Sequence, residues 1–348
     1  MFLLSKDSFR PKVRGCIDRY LGISDNYSLA IGLYKNGRVY IFGNDKDILS
    51  SVYDIGSISK TATAHLMLYL EEMGKVDLTK EVSEYIDLPK GRYPTLYHLL
   101  THTAGYGNLT PVEITVPRLI CHGYARKNIY DKCTSEKVVK CLSKRQKKGE
   151  ARYGYSDFAF AILAVVAEKV SGIPFAKLFE DFVRDKLNMK NTVIALDPKT
   201  RYPLAADRGR IYDFWHWDES NPYIAGGGLV SNLEDMMNYL SLELTSKEKY
   251  ITSAHRICEK SISQGSNIAT CIGWHTYVKS NQLWHVGGVG TFRSSVIFNR
   301  KRQMAVAVLG NAKGVASANV HYLAKMLYSE MKINKIALHG EIYEKDID

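Results

Sequence analysis

Strand-forming residues gather at two distant ends of this chain, and that separation constrains its fold more than any other feature. Near the start, the β-rich runs Tyr27–Tyr34 and Arg38–Phe42 flank Lys35-Asn36-Gly37. Asn-Gly accepts positive φ at both positions, which makes it the strongest short hairpin signal. Comparable β character returns in the last third, at Ala269–Trp274, Ser294–Asn299 and Met304–Leu309. Between these ends the pattern is helical: Thr61–Met73 with Gly74 as its cap, Thr95–Leu100, Ser135–Lys148, Asp157–Val170 stopped by Gly172 and Pro174, and Phe175–Leu187. An amphipathic helix over 8–22 precedes the first strands, and a long helix at about 315–332 follows the last ones. Strands so far apart share one sheet only if the stretch between them is an insertion. The expected fold is therefore α+β: an antiparallel β-sheet flanked by helices, built from 1–56 and 232–348, plus an inserted, mostly α-helical lobe over 57–231. Pockets form where two such lobes meet.

The chain has 348 residues, 45% of them hydrophobic, which suffices for a sizeable core, and its 24% charged share is that of an ordinary globular protein. No apolar run approaches the roughly 20 residues of a membrane-spanning helix. The opening Met-Phe-Leu-Leu gives way at once to Lys6 and Asp7, well short of the roughly 7–15 apolar residues of a signal-peptide core, so the expected location is cytoplasmic. The net charge is +11, concentrated partly in Lys137, Lys140, Lys144, Arg145, Lys147 and Lys148. No nucleic-acid module accompanies this run, and it reads as a solvated helix face; neither a nucleic acid nor a membrane is expected as a partner. Six cysteines are spread along the chain. Their spacing matches no compact ligand pair, Cys121 and His122 included, so reduced, mostly buried thiols are expected, with no metal and no organic cofactor. Cys133 and Cys141 are expected on one face of a helix.

Three short segments carry candidate chemistry. In Ser57-Ile58-Ser59-Lys60, positions i and i+3 share a helix face, so the lysine amine reaches the serine hydroxyl. Serine is a poor nucleophile at neutral pH without a neighbouring base, and a lysine can serve as one. Ser57 follows Gly56 at the entry to an apolar helix, where free backbone N–H groups collect. Tyr155-Ser156-Asp157 opens the next strongly apolar helix. His285-Val286-Gly287-Gly288 follows Trp284 on an apparent edge strand, where glycines let a backbone approach a substrate.

In this order and at these separations, the three segments resemble the active-site elements of the serine β-lactamase and penicillin-binding-protein group, and specifically the class C, S12-type serine hydrolases. Leu99–Gly105, Ala225–Ser231, Gly273-Trp274-His275 and Gly287–Ser295 are also similar to segments common there, so the resemblance spans about residues 28–312. It implies that Ser57 forms an acyl-enzyme and that Lys60 and Tyr155 share the work of general base, leaving open which takes the first proton. It implies an oxyanion hole of the Ser57 and Gly288 backbone N–H groups, and substrate contacts from Asp157, His285, Gly287 and Tyr223, at a site between the two lobes. Two positions depart from the pattern. Asp157 stands where the group usually has Asn, and a carboxylate only accepts hydrogen bonds. His285 stands where class C β-lactamases have Lys. His102 and His275 are expected as structural residues, and the Trp215–Trp217 loop as either a packed lid or a substrate wall.

The expected function is a serine hydrolase that cleaves an amide or ester bond in a small-molecule or short-peptide substrate, with D-amino-acid peptides and small esters as leading classes. The alternatives are a β-lactamase, or an acyl-transferring or non-turnover, sensor-like penicillin-binding protein.

Overall fold

The computed structural model describes all residues except 23–26, 46, 109, 117–127, 147–152, 197–214, 259–266, 312–314, 339–340 and 343–348. Strand β1 (Phe2–Leu3) is followed by helix α1 (Pro11–Leu21), the hairpin strands β2 (Leu29–Lys35) and β3 (Arg38–Gly43), and β4 (Val52–Asp54). Then come α2 (Ser59–Glu72), α3 (Leu96–Leu100), α4 (Ser135–Ser143), α5 (Asp157–Ser171), α6 (Phe175–Lys186), β5 (Val193–Ile194), α7 (Ile224–Gly227), β6 (Leu229–Asn232), α8 (Leu233–Thr245) and α9 (Lys249–Thr252). The last part contains β7 (Ile268–Thr270), β8 (His275–Tyr277), β9 (Gln282–Val289), β10 (Phe292–Asn299), β11 (Met304–Gly310), α10 (Val315–Lys332) and β12 (Glu341–Ile342).

The two ends of the chain do share one sheet. Its nine strands run β12-β1-β3-β2-β11-β10-β9-β8-β7, so the N-terminal hairpin sits directly beside β11. All pairings are antiparallel except β1 with β3. Asn36 and Gly37 both take positive φ (48° and 83°) and join Lys35 to its partner Arg38, the primed-turn geometry that matches strand twist. Alternate strand residues face opposite sides. Ile31, Leu33, Val306 and Val308 meet Val13 and Ile17 of α1 and Leu323 and Leu327 of α10. Ala30, Tyr34, Ala305 and Ala307 face the other way and belong to the larger core with α2, α5 and α8. A second sheet, β4-β6-β5, lies beneath the entry to α2.

Helices α2 and α5 run through the core. Residues 59–68 of α2 and 158–167 of α5 are all buried, so both are core helices wrapped on every side. Helix α5 ends as its sequence requires, with Gly172 at φ 71°. No single helix among the described residues is long and apolar enough to cross a membrane.

Several expected boundaries shift. Pro11 supplies the first position of α1, so the helix starts after Phe9, and Lys6–Ser8 form a separate 3-10 turn. Helix α4 stops at Ser143; Lys137, Lys140 and Lys144 are exposed, and Lys147 and Lys148 lie outside the described residues. Cys133 is buried but precedes the N-cap Thr134, so it shares no helix face with Cys141. Cys121 and His122 lie outside the described residues. The strand expected over 269–274 breaks after Thr270, because Gly273 (φ 74°) turns the chain against the carbonyl of Lys60 and Ala64. Strand β9 is not a simple edge. It pairs with β8 over Gln282–Trp284, and from His285 to Val289 its one strand partner among the described residues is β10.

Candidate active site

The nucleophile candidate sits on a turn clamped between two sheets. Ile55 donates its N–H to the Leu229 carbonyl of β6 at 3.1 Å, while its own carbonyl accepts Ser294 Oγ of β10 at 2.8 Å. Asp54 Oδ1 accepts the Gly56 N–H at 3.0 Å. Gly56 has φ 51°, and a Cβ there would lie 2.7 Å from Gly288 N, so the turn requires glycine on two counts. A 3-10 turn over Gly56–Ile58 carries Ser57 and runs into α2, whose first turn carries Lys60, so the two side chains meet.

Lys60 is fully buried. Its Nζ donates to Ser57 Oγ at 3.1 Å and to the Gly226 carbonyl at 2.5 Å, and it pairs with Asp157 Oδ1 at 2.5 Å. All three partners are acceptors, matching the three hydrogens of an ammonium group and leaving no role for an amine lone pair. Burial alone would push the Lys60 pKa down. The Asp157 carboxylate and Tyr155 outweigh that and raise it, so the group is held charged.

The second segment approaches from the start of α5. Ser156 caps the helix, its Oγ accepting the Ala159 N–H at 3.2 Å. Tyr155 lies immediately before the cap, its ring centroid 4.9 Å from Lys60 Nζ. His102 supports Tyr155 from behind: the rings lie 4.5 Å apart, and His102 Nδ1 accepts the Ser156 N–H at 3.1 Å. Burial pushes the Tyr155 phenol up, and the nearby Asp157 adds to this while Lys60 opposes it. Asp157 Oδ2 accepts the Tyr130 hydroxyl at 2.6 Å, and the Tyr130 ring stacks on Tyr223 at 4.1 Å. Tyr223, expected to touch substrate, is instead buried behind Tyr130 and is not among the residues that line the cavity. Its neighbours Trp215 and Trp217 are packed into the core as well.

The third segment is the open half of β9. His285 Nδ1 donates to the Val286 carbonyl at 2.8 Å, which leaves Nε2 an acceptor, buried and without a partner among the described residues. Burial, then the positive charge near His275 and Lys60, holds its pKa well below the ordinary histidine value. His285 is therefore a neutral ring, not a cation. Gly287 has no room for a side chain: a Cβ would lie 1.9 Å from the Ile55 carbonyl oxygen. Gly287→Ala is expected to push β9 off the nucleophile turn and cut kcat/KM by about 100-fold, since displacements of about 1 Å cost this much. Steady-state kinetics beside a thermal melt distinguish this loss from unfolding. Arg293, opposite Gly288 in register, donates Nη1 to the carbonyls of Gly290 at 3.0 Å and Phe292 at 2.6 Å.

A cavity of about 840 Å³ opens at Ser57, Tyr155 and Gly288. It extends past Tyr155 to His275, Trp284 and His321. His275, expected as structural, thus faces the cavity. Tyr130, Arg293 and His321 carried no signal in their local sequence. Lys60 and Asp157 stand behind Ser57 rather than in the cavity wall. Among the described residues, no group of three or more His, Cys, Asp or Glu side chains is arranged to hold a metal ion.

A family model described as Beta-lactamase matches residues 13–328. The D-alanyl-D-alanine-carboxypeptidase/endopeptidase AmpH of Escherichia coli K12 is 30% identical over 213 residues, covering 58% of this chain and 51% of that protein. Protein flp of Staphylococcus aureus N315 is 22% identical over 328 residues, covering 86% of this chain and 61% of its own length. The chain thus spans between half and two thirds of these curated relatives. Among solved structures, a β-lactamase/D-alanine carboxypeptidase from Yersinia pestis superposes with a TM-score of 0.72 at 18% identity, covering 92% of this chain and 97% of that one.

Proposed function

The chain belongs to the Beta-lactamase family, and on that footing we propose that it hydrolyses amide or ester bonds through an acyl-enzyme on Ser57, with D-amino-acid peptides or small esters as substrates. The observation that carries this reading is the placement of Lys60: a buried ammonium 3.1 Å from the Ser57 hydroxyl and 4.9 Å from the Tyr155 ring. Ser57 Oγ attacks the carbonyl carbon while the backbone N–H groups of Ser57 and Gly288 receive the developing oxyanion, each such donor contributing about 3–4 kcal/mol. Lys60 already donates to three acceptors, so it stabilises negative charge instead of taking the proton. Tyr155 takes that proton as phenolate and passes it to the leaving group. Water then cleaves the acyl ester and restores Ser57.

Asp157 tunes this chemistry. Its charge raises the pKa of both Lys60 and Tyr155. In Asp157→Asn both fall, more Tyr155 is phenolate at a given pH, and the ascending limb of the kcat/KM profile moves to lower pH. An unmoved limb, or one moved to higher pH, contradicts the assignment of Tyr155 as base.

Intact-protein mass spectrometry tests the reading. Treatment with a fluorophosphonate is expected to add one adduct, mapped to Ser57; folded protein that stays unlabelled refutes the acyl-enzyme. A penicillin adduct that persists favours a peptidase-like site, whereas rapid turnover of penicillin favours a β-lactamase.

A further inference from the structure

Beyond Tyr155 the cavity becomes a compartment walled by rings. The Trp284 indole lies 4.7 Å from the His275 ring and 4.9 Å from the His321 ring, with Tyr277 stacked 5.4 Å behind it. These rings are fixed in place. His321 Nε2 meets the Tyr277 hydroxyl at 3.0 Å and its Nδ1 meets Ser295 Oγ at 2.9 Å, which ties α10 to β8 and β10. The walls are also uncharged near neutral pH. Burial pushes His275 and His321 down to about 4, and His285 is held low as well. No Asp or Glu is among the described lining residues, and the one Lys or Arg is Arg293, opposite Gly288 at the far end of the cavity and tied to two carbonyls. At the rim, Tyr153 and Ile268 are large apolar side chains left 43% and 40% exposed, apolar surface that a ligand would cover.

Position assigns this compartment to one part of the substrate. On the acyl-enzyme reading the carbonyl oxygen lies toward the Ser57 and Gly288 N–H groups, and the group that Tyr155 protonates lies on the Tyr155 side, where the rings stand. We propose that the leaving group of the substrate is an uncharged aromatic or bulky apolar alcohol or amine seated among Tyr153, His275, Trp284 and His321. This rests on the acyl-enzyme reading above and narrows it. A leaving group that ends in a carboxylate would lose its hydration against neutral rings, with no Lys or Arg among the described lining residues on that side; Lys325 lies over the Tyr277 ring at 5.1 Å, outside the lining. In the reaction, the Ser57 Oγ–acyl bond forms as the bond from acyl carbon to leaving oxygen or nitrogen breaks, and the proton lost by Ser57 reaches the leaving atom through Tyr155. Water then releases the acid.

Benzyl and methyl esters of acetate and of D-alanine test the proposal, because benzyl and methyl alcohols are nearly equal in acidity and differ mainly in what must be bound. Burial of the phenyl ring should favour the benzyl esters by about 10- to 100-fold in kcat/KM. The dipeptide D-alanyl-D-alanine should be cleaved more slowly than D-alanine benzylamide. Trp284→Ala should bring the benzyl-to-methyl ratio toward one. Ile268→Asp, at a 40% exposed rim position of β7, should lower the same ratio. Methyl esters turned over as fast as benzyl esters, benzyl esters not turned over at all, or a preference for the free dipeptide overturns the proposal. Fluorophosphonate labelling of Ser57 in the same preparation separates the two readings: a labelled protein with a ratio near one loses only the leaving-group assignment, whereas an unlabelled one loses both.

Discussion

Ser57→Ala is expected to lose its fluorophosphonate adduct and to reduce ester and amide turnover by about 10⁴- to 10⁶-fold, the range seen when a nucleophile that works as a unit with its base is removed. Neither Lys60 nor Tyr155 is placed to take over the attack. Lys60 donates to three acceptors, and with Ser57 gone it still holds the Gly226 carbonyl and Asp157. Tyr155 is a half-buried phenol on the cavity wall whose pKa lies above the ordinary value, aimed at proton transfer. Residual turnover would come from the backbone donors alone. The fold should not change, because the turn is held by Ile55 and Asp54 and not by the serine side chain. Wild type and variant compared by intact mass, burst kinetics and thermal melting give the result. Near wild-type turnover in folded Ser57→Ala would remove the mechanism.

The second large effect is one of stability, where α8 meets α2, the helix that follows the nucleophile turn. Glu243 of α8 is completely buried and accepts from His65 of α2 at 2.5 Å and from His255 at 2.6 Å, while His65 Nδ1 meets the Tyr250 carbonyl at 3.0 Å. Burial alone would raise the Glu243 pKa. The His65 charge and the two histidine hydrogen bonds overcome this and hold the carboxyl at about 2. Removing one partner from a buried ionic network leaves the others uncompensated, which costs about 3–5 kcal/mol. Glu243→Ala should therefore lower Tm by roughly 5–15 °C. The pH dependence has a definite sign. A carboxyl depressed in the folded state contributes fully above its unfolded value of 4.5, and that contribution fades as pH falls toward about 2. The Tm gap between wild type and Glu243→Ala should be widest above pH 5 and should narrow below pH 4. A gap independent of pH would mean that lost packing, not charge, sets the cost. Because α2 also bears Lys60 and follows directly from the turn that holds Ser57, partial loosening of this network should lower activity in parallel with Tm, without moving the pH profile.

Much of this protein was determined locally. Asn36-Gly37 dictates a two-residue hairpin because both positions accept positive φ, and Gly172 ends α5 for the same reason. The three-residue spacing from Ser57 to Lys60 brings hydroxyl and amine together on one helical face, and the Ser156 cap sets Tyr155 at the mouth of α5. These are interactions within one or two turns, where backbone preference and side-chain reach decide the outcome whatever surrounds them. The strand-rich ends likewise left the chain little choice but one shared sheet.

Tertiary structure decided the rest. The charge of Lys60 depends on Asp157 and on the Gly226 carbonyl, brought from distant points of the chain. Tyr130 reaches Asp157, and takes Tyr223 away from the substrate, only because the turn before α4 folds over α5. His275, Trp284 and His321 become one wall only when β8, β9 and α10 meet. His285 is neutral because it is buried beside other potential cations, a property that no tripeptide carries. Local sequence sets which groups are available and which way the backbone turns. Their protonation, and what they can bind, follow from the dielectric and the partners around them, and only the assembled fold supplies those.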